Sequence, residues 1–286
     1  MFISYAQNFE DVMLWRALKH VENGFYIDVG ANDPTAHSVT KAFYERGWRG
    51  INIEPLSSHY LDLIRERPND INLQCAAGAA VGEVELWEAD VRGWATAEKQ
   101  VIEQHKAAGH KGIWHKVPVV PLKNICKENV AGEIHFLKID VEGFEKYVLE
   151  GMDFSRFRPW VLIVEATEPN TSEENHVEWE GIVLAMGYIF AYADGLNRFY
   201  VATEHHELLL IFKYPPNVFD NFIQVCDERT QQAVSRAEQA ESTAEQAERK
   251  LAAVYLGLSW RVTKPLRAVE RFLQMIQNKL KSGFQF

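Results

Sequence analysis

The sequence predicts an α/β fold: a mostly parallel, Rossmann-like sheet with an antiparallel edge, followed by a C-terminal helical extension. Three observations predict it. Phe25–Val29 and Gly50–Glu54 are short β-branched or aromatic runs with a helix-like stretch between them, the β–α–β opening of a doubly wound sheet. His135–Ile139 and Trp160–Val164 are apolar runs of strand length, each followed at once by an acidic residue. Beyond Pro215-Pro216 the patterning changes to steps of four and three, a heptad seam.

The elements follow in order. Residues 8–20 read as a helix, with Phe9, Val12, Met13, Arg16 and Ala17 at helical spacing and Glu10 and Asp11 in the first turn. The first strand is 25–29, then a helix from Thr35 to Arg46, stopped by Gly47. Strand 50–54 leads through Pro55 to a helix over 57–66. Strands follow at Ile71–Cys75 and Glu83–Trp87. Residues 90–116 have no clear period and read as a helical cap inserted over the sheet's carboxyl edge. Val117–Val120 is a short strand, His135–Ile139 a buried one, and a helix over Phe144–Glu150 stops at Gly151. After Trp160–Val164 come a helix at Trp179–Met186 and strands at Tyr188–Tyr192, Phe199–Ala202 and Leu208–Phe212, the antiparallel edge. Residues 1–223 form the predicted α/β domain and 224–286 the extension.

With 47% hydrophobic and 12% aromatic residues among 286, the chain has ample material for a core. The net charge of −10 argues against nucleic acid as a partner. That charge is uneven: Arg261, Lys264, Arg267, Arg271, Lys279 and Lys281 face only Glu270 in the last stretch. An acidic body with a basic tail suggests a separate partner for the tail. The three cysteines, Cys75, Cys126 and Cys226, form no C-x-x-C pair and read as reduced thiols of a cytoplasmic protein. The N-terminus lacks the pattern of a secretory signal. No run of about 18 apolar residues suggests a membrane span.

In the extension, Ala233, Ala237, Ala240, Ala244, Ala247, Leu251, Val254 and Leu258 form the seam. Alanine gives thin burial, so 230–258 reads as a weak coiled coil, a helix packed on a protein partner, or a solvated helix of good propensity. Residues 260–281 interleave apolar and basic positions. They suit peripheral contact with the inner face of an anionic membrane, or the end of an oligomer-forming helix.

Asp28/Gly30, Glu54, Cys75/Ala76, Asp140 and Glu165 stand at five strand ends, which an open α/β sheet gathers at one crevice. Gly30 would let backbone amides approach a ligand, and Glu54 is placed for both hydroxyls of a ribose. No G-x-G-x-x-G run separates them, so a dinucleotide is disfavoured against a nucleoside without phosphates, S-adenosylmethionine being the common one. Converging carboxylates also suit a sulfonium cation, since they repel one another unless positive charge lies between them. The turn Asp140-Val-Glu-Gly143 either caps the following helix or serves the same edge; its position favours the second.

Ser4-Tyr-Ala-Gln-Asn-Phe-Glu-Asp11, Phe25-Tyr-Ile-Asp-Val-Gly-Ala-Asn32, Gly50-Ile-Asn-Ile-Glu-Pro55 and Leu137-Lys-Ile-Asp-Val-Glu-Gly-Phe-Glu145 together resemble the FkbM-type family of S-adenosylmethionine-dependent methyltransferases. The resemblance spans roughly residues 4–223. It implies a class I methyltransferase sheet of seven strands and O-methylation of a sugar or polyketide hydroxyl. Its cofactor contacts carry over to Asp28, Gly30, Ala31, Asn32 and Glu54, and Gln7, Ala76 and Asp140 complete the expected set. A departure lies at Asp33-Pro34-Thr35, where many relatives have a glycine or small residue. Ala193–Tyr200 and Ser259–Arg267 resemble segments of proteins of bacterial surface-polysaccharide assembly, which turns the expected acceptor towards a sugar of a polysaccharide or glycolipid. A scaffold that recruits assembly enzymes through the C-terminal helix is the alternative.

Methyl transfer to a hydroxyl needs a base or a metal within reach of the proton. Asp140 is the first candidate as base or orienter, with Glu142 and Glu165 next. A magnesium site at Asp140, Glu142 and Glu165 is the less favoured option, as no metal-type ligand spacing is present. For the acceptor, His105, Asp194, Asn197, Arg198 and Tyr200 offer polar and aromatic groups, with Trp94 and Trp114 as stacking faces. The bland readings are a surface histidine, a polar hairpin turn and core aromatics.

Overall fold

Seven strands form the central sheet of the computed structural model: β1 Phe25–Val29, β2 Arg49–Ile53, β3 Ile71–Leu73, β4 Phe136–Ile139, β5 Val161–Glu165, β6 Tyr188–Ala193 and β7 Asn197–Ala202. Their order is 6-7-5-4-1-2-3. Pairs among β1 to β5 are parallel, and β7 runs antiparallel to both β5 and β6. The structure describes residues 1–169 and 171–225, together with Val269, Arg271, Leu273 and Gln274, which are helical. The chain divides into two units, Met1–Val225 and Cys226–Phe286. The predicted coiled coil of 230–258 lies outside the described residues, as does Cys226, and so does the basic segment 260–281 apart from those four positions. No helix among the described residues is long and apolar enough to cross a membrane.

Alternation along the strands builds a core on each face. Ile27, Val29, Ile51, Ile53, Leu137 and Ile139 pack on one side, while Tyr26, Phe136, Val161 and Ile163 pack on the other with Met13, Leu14 and Trp48. Register places Val29 beside Ile53 and Ile139, and Ile139 beside Val164, so the carboxyl ends of β1, β2, β4 and β5 share one edge. Sheet order reverses between β1 and β4, the crevice position where open α/β sheets bind ligands.

Three sequence expectations need correction. The helix expected from Thr35 to Arg46 is confined to Lys41–Glu45. Asp33 Oδ1 accepts the Thr35 and Ala36 N–H groups, and His37 is left-handed at φ 58°. Fully buried Arg67 then ties Pro34 O, Ser38 Oγ and Thr40 Oγ1 into an extended loop. Gly47 ends the short helix at φ 90°, as expected. Arg67→Met should lower the unfolding free energy by about 3–5 kcal/mol, because it strands buried Asp70 without its cation as well as freeing the loop. An unchanged urea midpoint would remove Arg67 from that role.

The strand expected at Leu208–Phe212 is instead 3₁₀ helix over Thr203–Leu210. A strand would bury Leu208, Leu210 and Phe212 alike, but Leu210 is 78% exposed while the other two are buried at i and i+4.

The expected helical cap at 90–116 holds one helix but is otherwise part of a sheet. Gly112–Val120 pairs antiparallel with Gly82–Ala89, Ala95–Thr96 extends that pair and Ala76–Ala77 closes it, making a separate four-stranded sheet. One helix, Lys99–Ala107, remains. Most of 112–116 faces solvent, so no apolar period marks the strand. Phe2–Ser4 also pairs in parallel with Phe222–Gln224, tying the two ends of this unit together.

Candidate active site

A cavity of about 580 Å³ opens at the carboxyl edge, roofed by Val84, Leu86, Arg92, Trp94 and Val119 of the four-stranded cap. Gln7, Asp28, Gly30, Ala31, Asn32, Glu54, Ala76, Asp140, Glu142 and Glu165, drawn from six separate stretches of sequence, all line it.

At the end of β1 the glycine is required for a reason other than ligand approach. Gly30 N and Ala31 N donate to Ile53 O at 3.0 and 3.2 Å, so those amides are spent inside the fold. Gly30 has φ 78°, and any Cβ there would collide with the carbonyl oxygen of Asp140. The residue thus lets β1 and β4 close together at the switch point.

Glu54, buried beyond the end of β2, accepts the Asn32 N–H at 2.9 Å on Oε2 and the Leu56 N–H at 2.8 Å on Oε1. Each oxygen keeps a lone pair, so the carboxylate is fixed in orientation and still able to accept from two hydroxyls. Cys75, Ala76, Ala77, Leu86 and Val119 continue from it as a small apolar slot. Burial pushes the Cys75 thiol up to about 11, which makes it a wall of that slot rather than a nucleophile.

Asp28 is buried; its Oδ2 accepts from Thr40 Oγ1 at 2.9 Å and its Oδ1 has no hydrogen bond. Lys138, from the middle of β4, lies 3.5 Å from Asp28 Oδ1 and 3.0 Å from Asp140 Oδ2, and donates to Gly30 O at 3.3 Å. Burial works against its charge, but Asp140 and Asp28 outweigh it and hold the ammonium above the ordinary lysine range. Sequence reasoning gave Lys138 no role. A lysine inside the buried run Phe136–Ile139 was the available signal, because such a charge needs partners.

The Asp140–Gly143 turn is shaped by Glu145. Its Oε1 accepts from Val141 N and Gly143 N at 3.1 and 3.3 Å, and Thr96 of the cap donates to Glu142 O at 3.0 Å. Glu142 is left-handed at φ 53° and makes no side-chain hydrogen bond among the described residues. Burial, then Asp140 and Glu145, push its carboxyl up to about 8. Glu165, the last residue of β5, is 8% exposed with Oε2 unpartnered; burial, then Asp140 and Glu142, push it well above the carboxylate range.

The N-terminal motif serves the same site. Asp11 accepts from Ser4 Oγ, Tyr5 N and Ala6 N, folding residues 4–6 into the turn that brings Gln7 to the cavity. Glu10 also lines the cavity, which the sequence reading missed by assigning it to the helix dipole. It accepts from Asn8 N and Asn197 Nδ2, and burial with nearby Asp194 raises it to about 7.

The five expected acceptor contacts lie elsewhere. His105 is buried against Trp94, with ring centroids 4.7 Å apart, and does not line the cavity. Tyr200 is wholly buried, its hydroxyl donating to Glu180, and Arg198 is held by Glu180 and Tyr200 over the Phe190 ring. Asp194 accepts the Leu196 and Asn197 N–H groups as a hairpin turn does, and Asn197 spends its amide on Glu10 and Asp194. Of the stacking candidates, Trp94 lines the cavity, whereas Trp114 is half exposed on the outer strand with Lys106 over its ring. Among the described residues no group of three or more His, Cys, Asp or Glu side chains is set to hold a metal ion.

The lining holds seven carboxylates against two permanent cations, Arg92 and Lys138. Such a surface repels a pyrophosphate and attracts a cation. It fits a nucleoside with a sulfonium: Glu54 for ribose hydroxyls, the apolar slot for a base, and Glu165, whose Oε2 has no hydrogen bond, with Glu142 for positive charge. A family model, described as the methyltransferase FkbM domain, matches residues 28–190, more than half of the chain. No curated protein matches it.

Proposed function

The chain belongs to the FkbM methyltransferase family, and from that premise we propose that it carries a methyl group from S-adenosylmethionine to a hydroxyl of a sugar, in the assembly of a bacterial surface polysaccharide or glycolipid. The observation that carries the donor assignment is the acidic cavity with Glu54 fixed at the end of β2. S-adenosylmethionine, when bound, supplies an electrophilic methyl carbon on sulfur; as the acceptor oxygen bonds to it, the sulfur–carbon electron pair passes to sulfur and S-adenosylhomocysteine is left.

This chain's own residues supply the rest. Glu54 holds the ribose, and Asp28 and Lys138 fix the floor beneath the reacting end. Glu142 takes the acceptor's proton: it is the carboxylate without a hydrogen-bond partner and less buried than Glu165, whereas Asp140 is paired with Lys138. Asp140 is then an orienter of Lys138 and of the turn that carries Glu142. The cap shields this end from water through Trp94, Ala95 and Ala97, and Thr96 ties it to the turn.

Two other readings fare less well. A nicotinamide-dependent oxidoreductase needs a pyrophosphate cradle, and the carboxylate-rich lining opposes one. A polyketide hydroxyl in place of a sugar is compatible with the same chemistry; Trp94 at the cavity wall, a stacking face for a pyranose, favours the sugar. The test is S-adenosylhomocysteine formation on addition of glycan extracts, with mass spectrometry locating the added methyl. Turnover with no sugar in the product would overturn the acceptor assignment. For the extension, we assign 230–258 to a protein partner or oligomer and 260–281 to an anionic membrane surface, on the sequence pattern alone. The full chain should sediment with anionic but not neutral vesicles at low salt; equal recovery with both would discard the membrane role.

A further inference from the structure

The acceptor end of the cavity carries more negative charge than a methyl donor relieves. Both permanent cations of the lining are committed: Lys138 to Asp28, Asp140 and Gly30 O, and Arg92 to Asn32, Asp33 and Asp62. Of the seven acids in the lining, Asp28, Asp140 and Asp33 pair with these cations, which leaves Glu10, Glu54, Glu142 and Glu165 without a permanent cation. A zwitterionic donor with a sulfonium adds one net positive charge, which leaves a surplus of acids around the place where the acceptor must sit.

Glu165 shows where that surplus is felt most. Its side chain is more than nine-tenths buried, it lines the cavity, and Oε2 has no hydrogen-bond partner. A carboxylate is an acceptor only, so a buried unpartnered oxygen calls for a donor, and a charged one meets it best. With Asp140 and Glu142 beside it Glu165 is protonated in the free protein, and an ammonium in contact with it would favour its anionic form. The cap segment that carries Trp94 and Thr96 is tied to the Glu142 turn by the Thr96 hydroxyl, and Trp94 is part of the cavity wall. A carbohydrate ring with a protonated amine matches both features: the ring's apolar face suits the indole, and the ammonium suits the carboxylates and the π face.

We propose that the acceptor is an amino sugar whose ammonium group lies against Glu165 while a neighbouring hydroxyl is methylated. This rests on the methyl-transfer reading of the cavity and names the substrate class for it. An acceptor that brings phosphate to this end would meet carboxylates and no uncommitted cation among the described lining residues, so the diphosphate of a nucleotide-sugar must lie outside the cavity.

The test uses the full chain saturated with S-adenosylhomocysteine. Binding of amino hexoses in the gluco, galacto and manno configurations is compared with that of the parent hexoses and their N-acetyl forms by ligand-observed magnetic resonance. At least one amino hexose should bind about 10- to 100-fold more tightly than both counterparts, the range of a charge-assisted hydrogen bond. Glu165→Gln should erase the preference while S-adenosylhomocysteine still binds. No amine preference in any configuration, or a preference that survives Glu165→Gln, would overturn the proposal. The acetamido comparison needs no variant, so a folding defect in Glu165→Gln leaves the test standing. Failure of the unaltered protein to bind S-adenosylhomocysteine is a separate outcome, and it overturns the methyl-donor reading together with this one.

Discussion

Glu54→Ala is expected to weaken S-adenosylmethionine binding by about 10²- to 10⁴-fold, the loss of two hydrogen bonds to a charged acceptor at roughly 1.5–3 kcal/mol each. Glu54 sits beyond β2 with both oxygens anchored by the Asn32 and Leu56 amides, so it pays little ordering entropy when ribose hydroxyls arrive. The variant also leaves those amides without their acceptor, which loosens the Gly30–Asn32 loop against the end of β2. Glu54→Gln, which keeps one acceptor oxygen, should fall between. Titration calorimetry with S-adenosylmethionine and S-adenosylhomocysteine separates the causes: the ribose is common to both, so both affinities should drop by the same factor. Asp28→Ala acts nearer the charge, where Lys138 would lose a partner, and should discriminate between the two ligands. Binding unchanged in both variants would sink the site assignment.

Much of this site was legible because buried parallel strands write their ends plainly. Each of β1, β2, β4 and β5 is a mostly buried run with an acid at or next to its carboxyl end, and parallel register then collects Asp28, Glu54, Asp140 and Glu165 at one edge. The acceptor side was not legible. Asp194, Asn197 and Arg198 look like a donor–acceptor set in the sequence, yet Asp194 is spent on the hairpin, Asn197 on Asp194 and Glu10, and Arg198 on Glu180, while Tyr200 points into the core from the same strand. Sequence pattern carries no signal for such side-chain pairing. The cap's place over the carboxyl edge was legible but its strands were not, because strand 112–120 has no continuous buried face, and the pairing of Phe2–Ser4 with Phe222–Gln224 joins segments too far apart for local pattern to reveal. Glu10 was visible as an acid in a helix's first turn; only the tertiary fold shows that it faces the cavity.

Glu142→Gln is expected to lower kcat by about 10²- to 10⁴-fold while leaving S-adenosylmethionine affinity within a few-fold, the range typical of removing a positioned general base. The pH dependence gives the assignment its sharper test. Burial and the neighbouring Asp140 raise the Glu142 carboxyl to about 8, so in the free protein it is protonated at neutral pH and gains its basic form as pH rises. The value of kcat/KM for the donor, which reports the free protein, should therefore climb with pH up to about 8. A bound sulfonium favours the anionic form, so the limb in kcat should lie at lower pH. Glu142→Gln should remove the limb as well as the rate. Glu165→Gln, which replaces a carboxyl that is itself protonated over this range by a neutral amide, should leave the limb in place with kcat retained in larger part. A rate loss confined to Glu165→Gln, with Glu142→Gln near the unaltered rate, would exchange the two roles and move the proton acceptor to the end of β5.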